Sequence, residues 1–121
     1  MVARVATIEE LKRTNPYWDL DRLGQRVGQG LRETFERACA AIQVTGLGST
    51  FGCHFNKGPV RSVRDVAHND VKRSQAFHKA LLDNGIFMLT PQTLHGCIST
   101  AHNPDDIEEL IAVAEKFACM S

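Results

Sequence analysis

Between Ala41 and Asn56 the spacing of apolar residues changes from three or four positions to two, and this change decides the fold class. Phe51, Cys53 and Phe55 alternate with Gly52 and His54, as on a strand with one dry face. Upstream, Leu20, Leu23, Val27, Leu31, Phe35, Ala38 and Ile42 step by three or four, which predicts a long helix over 17–41 with one buried stripe. Gly24, Gly28 and Gly30 each weaken that helix by about 1 kcal/mol relative to alanine, so packing must hold it. A chain that carries both periods has to set helices against a sheet.

The remaining elements follow from local signals. Thr7, with Glu10 three residues on, has the form of a capping box, so the first helix is expected to start there. It should stop before Pro16, whose ring disfavours helical geometry at Asn15. A helix over 69–84 is expected to bury Val71, Phe77, Ala80 and Leu81, with Gly85 placed for a left-handed cap. "IFML" (86–89) and "GCISTA" (96–101) are short strand candidates. In "NPDDIEELIAVAEKFA", Asn103 caps a helix, Pro104 takes its first turn, and Asp105 and Asp106 complement the positive end of its dipole. Ile107, Leu110, Ile111, Ala114 and Phe117 form its buried face.

The element order is therefore ααββαββα within one domain, 1–121, divided into a helical lead-in over 1–41 and an α/β part over 42–121. The expected fold class is α/β (α+β): a small, mainly antiparallel or mixed sheet of three to four short strands with helices packed on one side.

Charge and leader signals exclude several functions. Fourteen basic residues balance fourteen acidic ones, for a formal net charge of +0, which gives no support for a nucleic-acid or anionic-membrane partner, normally marked by a basic excess. "MVARVATIEELKR" lacks the apolar core of a signal peptide, and no later run has bilayer length. Cys39, Cys53, Cys97 and Cys119 stand far apart with no C-x-x-C pair, and read as reduced thiols of a cytoplasmic protein.

Three constellations invite a site and are better read as structure. "QVTGLGSTFG" approaches a dinucleotide loop, but Phe51 occupies the third glycine's place and a strand follows where a helix should begin. Its glycines are expected to serve a bend or bulge. Cys53, His54, His95 and Cys97 are good zinc ligand types, yet strand alternation sends Cys53 and His54 to opposite faces. At most three converge where a structural zinc site wants four, so no metal is expected, and the reading is two buried thiols with two partly exposed histidines. A Cys97–His95 nucleophile–base pair is geometrically possible, but nothing marks an oxyanion hole, and packing is the expected role of both. In "RSVRDVAHNDVKR", Arg61, Arg64 and His68 read as the wet side of a helix, and His78 reads as a helix-flank residue.

"AAIQVTGLGSTFGCHFNKGPVRSVRDV", then "FHKALLDNGIFMLTPQ" and "STAHNPDDIEELIAVAEKFA", resemble in order and spacing the C-terminal domain of class III (fold type I) pyridoxal-phosphate aminotransferases. The nearest likeness is to the glutamate-1-semialdehyde 2,1-aminomutase branch, and "ATIEELKRTNPYWDLDRLGQRVGQGL" looks like the helical lead-in to that domain. The resemblance implies a parent enzyme whose large domain carries the Schiff-base lysine, the aspartate facing the pyridine nitrogen and most phosphate contacts. Lys12, Lys57, Lys72, Lys79 and Lys116 all lie in contexts unlike that lysine's.

Pyridoxal phosphate is thus implied for the parent and not expected to bind this chain alone, which has no catalytic residue of its own. The implied partners are the large cofactor-binding domain and, in the full-length enzyme, a second copy in a homodimer. The resemblance also implies that a lid segment, "TPQTLHGCIS", contacts substrate through Gln92, Thr93, Leu94 and His95. Gln92 and Gly96 match the branch's pattern there, while Thr93 stands for its aromatic residue, Leu94 for its glutamate and His95 for its alanine. The rival reading is a free-standing, non-catalytic interaction module that reuses this fold.

Overall fold

The computed structural model describes residues 1–120. Two helices, α1 (Val2–Thr14) and α2 (Tyr17–Arg37), lead into a hairpin of β1 (Gln43–Leu47) and β2 (Thr50–His54). A single turn, α3 (Val63–Val66), precedes α4 (Val71–Asp83), then β3 (His95–Cys97) and α5 (Pro104–Met120). The sheet is antiparallel throughout, in the order β1-β2-β3. It is the small antiparallel sheet with helical packing that the two hydrophobic periods require.

Alternation sets which face is dry. Phe51, Cys53 and Phe55 are buried, with Val44 of β1 opposite Cys53 and Gly96 of β3 opposite Phe51. Against them pack Val27, Leu31 and Phe35 of α2, Phe77 and Leu81 of α4, and Ile107, Ile111 and Ala114 of α5. Phe35, Phe55 and Phe77 meet edge to face with centroids 5.2, 5.5 and 5.8 Å apart, and Phe117 closes the cluster 5.1 Å from Phe77. Each such pair contributes about 0.5–1.5 kcal/mol beyond its buried area. Arg26 clamps Glu108 with two bonds of 2.8 and 3.0 Å, tying α2 to α5 at the surface.

Asn103 caps α5 as expected, its side chain accepting from the N–H of Asp106; beyond that expectation, the Asp106 carboxylate accepts from the N–H of Asn103 and completes a capping box. Gly85, at φ 77, follows α4 as a left-handed residue. The glycine run is the hairpin itself, with Gly48 at φ 62 in a two-residue connection.

Several boundaries differ from the sequence-based expectation. α1 begins at Val2; the Thr7 hydroxyl donates back to the carbonyl of Ala3, and Glu10 pairs with Arg13 instead of capping. α2 ends at Arg37, because Cys39 adopts φ 54, which a right-handed helix cannot continue through. The order is ααββααβα: "IFML" contributes only an isolated bridge from Leu89 to His95, and "GCISTA" supplies a strand of three residues. Val71 is exposed, and Ser74 takes its place on the inner face of α4. Of the four Cys and His residues, Cys53 and His54 are buried while Cys97 and His95 are exposed.

Candidate functional site

The segment from Leu89 to Cys97 closes on itself before joining the sheet. Leu89 and His95 exchange two backbone bonds of 3.0 Å at its neck, and the N–H of Leu94 donates to the carbonyl of Thr90 (2.9 Å). The Thr90 and Thr93 hydroxyls are hydrogen-bonded across the loop. Thr90 (φ 49) and Leu94 (φ 43) both take left-handed backbone, an unfavourable conformation for such side chains that the surrounding contacts must hold.

Leu94 is the plug. Its side chain has no solvent exposure and belongs to the hydrophobic core, and its carbonyl accepts from the N–H of Cys53 (3.3 Å). Among the four residues expected to contact substrate, Leu94 is the one whose side chain lies in the core. Gln92 and His95 are exposed, and Thr93 is half-buried. The Thr93 carbonyl lies over Gly52, 3.7 Å from where a Cβ on that residue would stand, and His95 is directly opposite Gly52 in the sheet. The loop therefore rests on the sheet face turned away from the helices.

That face is buttressed by a polar network the sequence does not announce. The N–H of Gly58 donates to Oδ1 of Asn56 (3.0 Å), which turns the Asn56 amide nitrogen toward the carbonyl of Asp65 (2.9 Å) and Oδ1 of Asn69 (3.0 Å). Asn69 must then present its own amide nitrogen to Nδ1 of His54, 3.1 Å away. Nδ1 accepts, so Nε2 carries the proton and donates to the hydroxyl of Thr45 (3.2 Å). His54 is thereby held neutral, and burial lowers its pKa. Asp65 accepts from the backbone N–H groups of Arg61 and Ser62, which hold its carboxyl below the usual carboxylate range. No periodicity singles out Asn56 or Asn69; their partners lie 13 and 15 residues away along the chain.

Two clefts flank these elements. One, of about 260 Å³, lies among Phe51, Ile86, Met88, Ile98 and Leu110. The other, of about 520 Å³, lies between the start of α2 and the start of α5, with Leu20, Leu23, Ser99, His102 and Pro104 on its walls. His102 is fixed there, accepting at Nδ1 from the N–H of Ser99 (2.9 Å). His78 bonds the carbonyl of Met88 at 2.9 Å.

The residues present do not fit pyridoxal phosphate. All five lysines are exposed, whereas a lysine poised for Schiff-base chemistry is desolvated. Lys57 lines a cleft of about 510 Å³ with Asp70, but that carboxylate accepts from the N–H of Arg73 to cap α4. Among the described residues, no group of three or more His, Cys, Asp or Glu side chains could hold a metal ion, and no helix is long and apolar enough to cross a membrane.

No protein-family model matches the chain. A glutamate-1-semialdehyde 2,1-aminomutase of Sorangium cellulosum is 40% identical over 117 residues, covering 95% of this chain and 27% of that protein. The chain spans about a quarter of the length of the curated relatives it matches. Among solved structures, a β-phenylalanine aminotransferase from Variovorax paradoxus superposes with a TM-score of 0.76 at 27% identity, over 84% of this chain and 23% of that one. A variant glutamate-1-semialdehyde-aminomutase from Pseudomonas aeruginosa, in complex with PMP, gives a TM-score of 0.74 at 20% identity over 84% and 22% of the two chains, a likeness of fold.

Proposed function

We propose, from the chain's similarity to the small C-terminal domain of class III pyridoxal-phosphate aminotransferases, that it serves as that domain in an aminotransferase or aminomutase-like enzyme. The observation that carries the reading is the pairing of 40% identity over 95% of this chain with coverage of only 27% of the relative. On this reading the cofactor, its lysine and the chemistry belong to a large domain, and the enzyme is a cytoplasmic homodimer. This chain contributes the lid: Gln92, Thr93 and His95 face substrate, and Leu94 anchors them in the core.

The exposed Val5, Ile8 and Trp18 support a domain with a missing neighbour over a free-standing interaction module, which would cover such residues. Their natural cover is the large domain. Two measurements test the proposal. Sequencing the reading frame upstream of Met1 should find an in-frame cofactor domain, and an immediate stop codon would overturn the reading. Mixing the chain with pyridoxal phosphate should leave no imine absorbance band after dialysis; a stable, stoichiometric band would show that the chain holds the cofactor itself.

A further inference from the structure

On the sheet face turned away from the helices, a nucleophile and a base stand together. His95 and Cys97 are two residues apart on β3, so strand geometry projects both to that face. Nε2 of His95 lies 3.6 Å from Sγ of Cys97. The pair is held by the backbone: His95 exchanges two bonds with Leu89 and sits opposite Gly52, and Cys97 sits opposite Thr50. Both side chains are open to solvent.

The other thiols differ. Cys39 and Cys119 are also exposed, and Cys39 lines a cleft with Lys57, His68 and Arg73, but among the described residues only Cys97 has an imidazole nitrogen within hydrogen-bonding distance of its sulfur. Cys53 is fully buried, and desolvation pushes its thiol up to about 12.

We propose that Cys97 is a modification site, a thiol primed by His95 for exchange with low-molecular-weight disulfides. Nε2 of His95 takes the thiol proton, and the thiolate attacks one sulfur of the incoming disulfide. A new bond forms from Sγ to that sulfur, the original S–S bond breaks, and the departing thiolate recovers the proton from the imidazolium. Cys97 passes to the disulfide level while the released thiol is reduced, so no further oxidant is needed. The adduct stands beside Gln92 to His95 and would obstruct the lid; that consequence rests on the function proposed above, whereas the exchange chemistry does not.

The test is incubation of the chain with oxidised glutathione at pH 7, followed by peptide mapping of the mixed disulfide at each cysteine over time. Cys97 should react at least about fivefold faster than Cys39 or Cys119, and His95→Gln should bring it down to their rate while leaving theirs unchanged. Equal rates at the three exposed thiols, or an unchanged Cys97 rate in His95→Gln, would overturn the assignment. Cys53 reports on the fold: if His95→Gln exposes it to reaction, the ranking of the three thiols in the unsubstituted chain decides alone. None of these readouts involves pyridoxal phosphate, so the aminotransferase reading and this one stand or fall separately.

Discussion

The carbonyl oxygen of Gly48 lies 1.8 Å from the point where a Cβ on Gly24 would stand, so α2 and the β1–β2 turn touch backbone to backbone. The contact explains a glycine that helix propensity disfavours.

Gly24→Ala should therefore destabilise the chain although alanine is the better helix former. The propensity gain of about 1 kcal/mol is opposed by an overpacking cost of about 1–3 kcal/mol, which a backbone carbonyl cannot relieve by rotating away. At Gly28 a Cβ would meet only the Arg32 guanidinium at 3.3 Å, a side-chain end that needs to shift by a few tenths of an ångström while keeping its 2.9 Å bond to the Val44 carbonyl. Gly28→Ala should be neutral or stabilising. Urea unfolding of the two variants checks this difference in sign, and equal effects would contradict the contact.

Stability should fall as pH is lowered through the histidine range. His54 accepts from Asn69, and burial lowers its pKa below the ordinary value of 6.5. The unfolded chain then binds more protons than the folded one between those two values. The contribution is fully present above pH 6.5 and is lost as pH falls toward the lowered folded value. An NMR titration should place the His54 midpoint below 6.5. A midpoint at or above that value would mean that the Asn56–Asn69 network does not enforce the neutral ring.

Truncating the plug should cost far more than truncating the exposed loop. Leu94→Ala removes a fully buried side chain and should destabilise the chain by roughly 2–5 kcal/mol. Gln92→Ala, on the surface, should stay within about 0.5 kcal/mol. Comparing denaturation midpoints at constant m separates the two. A small effect at Leu94 would return that residue to the list of candidate substrate contacts.

Deleting residues 2–14 should leave the unfolding free energy of the remainder within about 1 kcal/mol, because α1 buries no residue. Dye binding and self-association should drop when Val2, Val5 and Ile8 are removed. A large loss of stability would mean that α1 packs on this domain.

The candidate site was only half legible in the residues. The left-handed residues Thr90 and Leu94 carry no glycine to announce the turn, so the burial of Leu94, which the resemblance placed among the substrate contacts, was not legible in the residues. Thr7 shows the same limit: a hydroxyl three residues before a glutamate caps a helix only if the helix starts there, and here an upstream turn is available to accept its proton. "IFML" has strand-forming residues, yet a strand needs a partner edge, and only Leu89 finds one.

What the sequence determined alone is what depends on neighbours in the chain: the switch from helical to alternating period, the Asn103 cap of α5, the left-handed Gly85, and the opposite facing of Cys53 and His54. Only the tertiary structure decided that Gly24 must meet Gly48, that Leu94 turns inward, and that Asn56, Asn69, His54 and Thr45 form one chain of hydrogen bonds. Local signals act through steric and hydrogen-bonding terms over a few residues. These later features arise from contacts between segments far apart along the chain, whose geometry exists only after the core has formed.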